Sequence, residues 1–254
     1  MTRLVLRGGT ILTLGDKTPN HHRADLVVED GRVTEVGPDL RIRDAEVIDA
    51  TDTIVMPGFV DTHRHVWRSL FKNLGGFTAD LDASQLEPSD VYAATLVGLL
   101  GAIEAGITTV VDWADIPAED TYLDAALQAH AEAGVRSVLA HGTRTPGSSP
   151  AERQTFVRMI AERGGTDAVA LGSPDVTRNT LDQVGAEWQA ARELGLRIHA
   201  HAGIDEADAG AVAGLGDRGL MRDDVTLVHC THLSDRDLDT ISTSGAGIAL
   251  APST

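Results

Sequence analysis

The chain has 254 residues, 42% of them hydrophobic, which is enough for one α/β barrel or two smaller domains around a sizeable core. Asp and Glu outnumber Lys and Arg by 38 to 21, and the formal charge of -17 argues against a nucleic-acid backbone or an anionic membrane as partner. The single cysteine, Cys230, excludes an internal disulfide framework; with no apolar run approaching about 18 residues and no signal-like start, the expected location is the cytoplasm.

Residues 1–56 read as strands and turns: Leu4-Val5-Leu6, a turn at Gly8-Gly9, Thr10 to Leu14, Asp25 to Glu29 and Val33 to Val36. Asp30-Gly31 between the last two is a hairpin signal, because Gly accepts the positive φ of a tight turn. His21 and His22 fall beside Pro19 and Asn20 in what reads as a polar, solvated loop, with nothing nearby at ligand spacing.

From Pro57 onward short β-rich runs alternate with helical segments, the pattern of βαβ units around a parallel sheet. Strands are expected at 58–65, 107–112, 135–141, 168–173, 196–201, 225–230 and 246–250. Between them, stripes such as Leu96, Leu99, Leu100 and Ile103, or Leu181, Val184, Trp188 and Ala191, have helical spacing. Gly106, Gly134, Gly164, Gly195 and Gly245 fall where helices should end, and Ser89 and Ser234 are candidate N-caps.

The first of these strands ends Met56-Pro57-Gly58-Phe59-Val60-Asp61-Thr62-His63-Arg64-His65. Residues two apart on a strand share a side, so His63 and His65 face one way, and a close pair of imidazoles suits a divalent transition metal better than calcium or magnesium. Strand 5 repeats the pattern with His199 and His201, and strand 6 ends in His229-Cys230, with His232 following in the loop. In a barrel the chemistry sits where strands end, and His201 is one layer nearer that mouth than His199.

The stretch from Pro57 to His65, following a run of short strands, resembles the first barrel strand of the amidohydrolase superfamily, within the cytosine-deaminase-like and triazine-hydrolase-like branch. The resemblance covers the whole chain. It implies an α/β fold: a metal-dependent-hydrolase TIM-type (β/α)8 barrel with a small β-sandwich built from both chain ends. Residues 1–56 would be the N-terminal half of the sandwich, and 57–254 barrel strands 1 to 7. Eight strands are needed and seven are counted, so the expectation is an incomplete barrel from a truncated frame or fragment, against the alternative of a complete seven-unit or open-sheet protein.

The resemblance implies one divalent metal, zinc ahead of iron or manganese, held by His63, His65, His201 and His229. His229 is also the catalytic candidate, touching the metal or hydrogen-bonding the water and the substrate. The implied reaction is hydrolysis of a non-peptide carbon–nitrogen bond in a small, ring-containing substrate by metal-activated water. A halide-displacing hydrolase on the same scaffold and a non-catalytic fragment are the alternatives. Two departures bear on this: the family's strand-8 aspartate has no counterpart, and Ile204 stands three residues after His201, where many deaminases of this branch carry glutamate. Asp205 and Glu206 follow Ile204. Substrate contacts are expected from Asp205 and from the long segment after strand 1, where Trp67 could stack on a planar ring and Arg68 could hold an anionic or carbonyl group. Asp112, Asp115 and Asp175, near strand ends, are further candidates. The implied partner is a small molecule, with no nucleic acid and no membrane; barrels of this family often pair, so a homo-oligomer is compatible.

Overall fold

The computed structural model of the chain describes residues 3–71, 85–142, 149–164, 168–173, 176 and 180–250. Asp175 and residues 72–84 of the expected selectivity segment lie outside these. The chain divides into two compact units, Met1–Phe59 and Val60–Thr254.

The first unit is a five-stranded sheet formed by β1 (Arg3–Ile11), β2 (His21–Glu29), β3 (Arg32–Gly37), β4 (Glu46–Asp49) and β5 (Ile54–Val55). Its order is β3-β2-β1-β4, with β5 also beside β1. β1, β2 and β3 are antiparallel neighbours, while β4 and β5 run parallel to β1. Asp30 and Gly31 both take positive φ, 48° and 78°, as the two-residue hairpin turn requires. Two expectations are corrected here. Gly8-Gly9 is no turn: β1 runs through it as one strand, and the register shift between Leu6 and Gly9 marks a bulge that Gly8, at φ 77°, accommodates. His21 and His22 belong to β2 and not to a loop, because pairing of His21 with Ile11 extends the ladder that far. Val5, Ile11, Ala24, Val27 and Ala50 are buried.

The second unit alternates strand and helix. It comprises β6 (Phe59–Arg64), a 3-10 turn (Val66–Phe71), α1 (Pro88–Glu104), β7 (Ile107–Ala114), α2 (Asp120–Ala133), β8 (Arg136–His141), α3 (Pro150–Gly164) and β9 (Val169–Ser173). There follow α4 (Leu181–Glu193), β10 (Ile198–Ala202), a second 3-10 turn (Glu206–Asp208), α5 (Ala211–Asp217), β11 (Val225–His229), α6 (Asp235–Ser244) and β12 (Gly247–Ala249). The spatial order β6-β7-β8-β9-β10-β11-β12 is the chain order, which is how consecutive right-handed βαβ units build a parallel barrel wall. All seven expected strands are present.

Alternation divides the strand side chains. Val111 and Trp113 of β7, Val138 and Ala140 of β8 and Ala170 of β9 form one small cluster. Leu139, Leu171, Ile198, Ala200 and Leu227 point the other way and join the helices in the main core. Helix ends follow local chemistry. Gly134 and Gly245 close α2 and α6 in the left-handed region. Ser234 caps α6, its hydroxyl accepting the Asp237 N–H. Ser89 is not the cap of α1: Glu87 is, in a reciprocal box with Asp90, and Pro88 takes the first helical position, where a missing N–H is harmless. Gly98 lets α1 lie against the turn that follows β6; an added Cβ would meet Val66 Cγ1 at 2.7 Å.

Asp237 ties α6 to the start of α5. Fully buried, its carboxylate accepts the backbone N–H groups of Gly210 and Ala213 at 2.7 Å and the Ser234 hydroxyl at 2.7 Å. Burial alone would raise its pKa, but these hydrogen bonds outweigh it and the carboxyl is held below its ordinary value. Asp237→Ala strands buried donors and should lower the urea-unfolding free energy at pH 7 by about 3 kcal/mol. Because the folded-state pKa is depressed, this contribution is present above the unfolded pKa. The difference from wild type should therefore shrink as the pH falls below about 4.

Candidate metal centre

Three strands each deliver one imidazole to the same place. His63 comes from β6, His201 from β10 and His229 from the last position of β11, and one ring nitrogen from each lies within 4.8 Å of the others. Ring centroids are 5.0 Å apart for His63–His201, 4.9 Å for His201–His229 and 5.7 Å for His63–His229. The last two converge against their register: Ala202, not His201, is opposite His229 in the β10–β11 ladder, so strict alternation would put His229 on the other face. The backbone of His229 and Cys230 then enters the left-handed region, φ 74° and 55°, where side chains are strained and functional sites often lie. Gly203 makes this possible. Its carbonyl accepts the N–H groups of Thr231 and His232, and an added Cβ would meet Leu233 Cδ2 at 2.9 Å.

The fourth histidine is adjacent. His65, just past β6, has its ring 5.1 Å from that of His63 and 5.7 Å from that of His201. Its Nδ1 is engaged with the Asp115 carboxylate at 2.9 Å, which leaves Nε2 for another contact. Asp115 also accepts the Trp67 indole N–H at 2.6 Å and is paired with the Arg68 guanidinium. Burial pushes its pKa up, but the bonds and charges of His65, Arg68 and Trp67 win, and it stays ionised. Beneath it, Asp112 accepts the Val66 N–H at 2.9 Å and bonds His130 Nε2 at 2.9 Å, so two carboxylates, one in β7 and one just past its end, anchor the turn that follows His65.

The donors suit a divalent cation. Burial first, then the neighbouring imidazoles, depress His63 to about 3 and His201 to about 2, so both rings are neutral with a lone pair available at pH 7. His63 Nδ1 and His201 Nε2 are buried without a hydrogen-bond partner among the described residues. Nothing but nitrogen enters the group of three.

Other expected site residues are placed differently. Trp67 is 1% exposed in the main core with its N–H on Asp115, and Arg68 is half-buried on the same carboxylate. Neither is presented for stacking or anion binding; both hold the turn after β6, because a buried carboxylate needs donors and these two are in reach. Asp205 begins the exposed turn after β10, where the buried carboxylate is that of Asp208, spent on the N–H groups of Ile204 and Asp205. His199 lies a layer deeper and is lowered to about 4 by burial and by Arg197. Cys230 is a partly buried thiol raised to about 11 by burial. Trp113, one residue past the expected end of strand 2 at 112, is a site residue that the sequence reading misses: it stacks on His201 with ring centroids 4.1 Å apart.

Residues 54–254 match the amidohydrolase family, and the chain belongs to that family. It is 29% identical to a 5-methylthioadenosine/S-adenosylhomocysteine deaminase of Symbiobacterium thermophilum and 27% identical to a 5'-deoxyadenosine deaminase of Methanosarcina mazei, in each case over 99% of this chain. The chain spans 63% of the length of each of these relatives. Among solved structures, a triazine hydrolase variant superposes with a TM-score of 0.84 at 20% identity, covering 98% of this chain and 65% of the other. An atrazine chlorohydrolase of Arthrobacter aurescens complexed with zinc and atraton gives 0.82 at 22% identity, covering 96% and 64%. At these identities the likeness shows the fold, a nearly closed seven-strand parallel barrel of the TIM type.

Asp115→Ala should weaken zinc binding to this chain about 10–100-fold, measured by competition with a chromophoric chelator. Unchanged affinity would mean that the His65–Asp115 contact does not orient a ligand.

Proposed function

We propose that this chain is a metal-dependent hydrolase, acting on a non-peptide carbon–nitrogen bond of a small cyclic molecule. The observation that carries this reading is the convergence of His63, His201 and His229, with ligand atoms within 4.8 Å, on the ends of parallel strands. These three with His65 hold one divalent ion, zinc ahead of iron or manganese, since imidazole suits all three. The zinc in the chlorohydrolase complex supports that order. Such an ion supplies Lewis acidity and brings the pKa of water towards about 7. Asp115 keeps His65 in the tautomer that leaves Nε2 free, and the depressed basicity of His63 and His201 keeps protons from competing for their lone pairs. His229, at the mouth end of β11, stands beside the other ligands and steadies charge developing on the substrate. Residues 1–56 form the N-terminal half of a composite sandwich in this reading, and 57–254 carry the barrel. The lone free thiol is compatible with a cytoplasmic setting, and no helix among the described residues is long and apolar enough to cross a membrane.

Substrate class follows from the relatives. Two are named for 5-methylthioadenosine, S-adenosylhomocysteine or 5'-deoxyadenosine, so the bond is the exocyclic amine of an adenine nucleoside. One observation favours a second reading, metal binding without turnover: Ile204 follows His201 where a proton-shuttling glutamate is expected, and no carboxylate joins the histidine group among the described residues.

The zinc-loaded chain should release ammonia from 5'-deoxyadenosine or 5-methylthioadenosine in step with loss of the aminopurine absorbance, and His201→Ala should abolish the release. Zinc uptake without ammonia from either nucleoside would overturn the deaminase reading and favour the second.

A further inference from the structure

β7 supplies none of the clustered imidazoles, but it supplies an indole. The ring of Trp113 lies almost parallel to that of His201, centroids 4.1 Å apart and planes at 26°, and meets the His63 ring edge-on at 5.8 Å. Trp113 is 5% exposed, and its packing neighbours Ala140 and Ala170 on the next two strands are small. Room for a large flat side chain exists there because the two residues beside it on those strands, Ala140 and Ala170, carry only methyl groups.

The ligands differ in what fixes their rings. His65 is held by a hydrogen bond to Asp115. His201 Nε2 has no such partner among the described residues, and the terminal torsion of a histidine is intrinsically broad. A stacked aromatic face can replace the missing bond: it blocks rotation of the imidazole out of plane, and its π electrons favour the positive charge that a coordinated ring acquires.

We propose that Trp113 is a positioning residue, whose indole face sets the ring plane of His201 and so aims its nitrogen at the space shared with His63 and His229. This rests on the metal-centre reading above. It gives the C-terminal end of β7 a consistent role: Trp113 orients one ligand by stacking and Asp115, just past the strand, orients another by hydrogen bonding.

The test is titration of the metal-free chain with Co2+, read by tryptophan emission and by chelator competition, for wild type, Trp113→Phe and Trp113→Leu. Phenylalanine keeps an aromatic face, whereas leucine keeps apolar bulk without one. Wild-type emission should be quenched as the site fills, and Trp113→Phe should lose much of that quenching while keeping its affinity within about threefold. Trp113→Leu should bind about tenfold more weakly, with the thermal midpoints of the two metal-free variants alike. Equal affinity in all three proteins, or equal loss in both variants, would overturn the proposal and leave Trp113 as filling. Absence of Co2+ binding by wild type would overturn the metal centre itself, and this inference with it. If Trp113→Leu fails to fold, Trp113→Met serves as the non-aromatic arm with the same expectations.

Discussion

The site depends on an arrangement that is unfavourable by itself: imidazoles from three strands with ligand atoms within 4.8 Å of one another, two with buried nitrogens that have no hydrogen-bond partner among the described residues. Leaving a buried polar atom unpaired costs about 1–3 kcal/mol, and protonating one of these rings beside the others is resisted by burial and by its neighbours. Only a cation that accepts several lone pairs at once relieves all of these costs together. The barrel can hold the rings in that posture because each sits at the end of a hydrogen-bonded strand and cannot drift apart from the others.

Precision comes from around the cluster. Gly203 joins the ends of β10 and β11 through one carbonyl that accepts two N–H groups, holding the strand ends that carry His201 and His229 together. Asp112 and Asp115 fix the turn after β6, through Val66 and through His65, Trp67 and Arg68. These carboxylates, which a reading of spacing alone leaves equally open to turn or cap roles, are therefore supports for a ligand-bearing turn. Trp67 and Arg68 are part of the same support.

The barrel strands are legible from the chain because their signals are local, period-2 alternation and glycine at helix ends, and His-x-His on a strand singles out His63 and His201, two of the three histidines that converge. What was not legible depends on contacts distant in sequence. The Gly8-Gly9 bulge reads as a turn until the partner strand shows that the ladder continues past it. Trp67 and Arg68 look available for a ligand until Asp115, 47 residues beyond Arg68, is seen to occupy them. Trp113 gives no local sign at all, since its position depends on Ala140 and Ala170 leaving space beside it.

That this histidine group is a metal centre is tested most directly by elemental mass spectrometry of the purified 254-residue chain after exhaustive dialysis, alongside a His63→Ala/His201→Ala variant. The wild-type chain should carry about one equivalent of zinc, iron or manganese and the variant almost none. Wild-type chain free of metal, or metal retained equally in the variant, would contradict it.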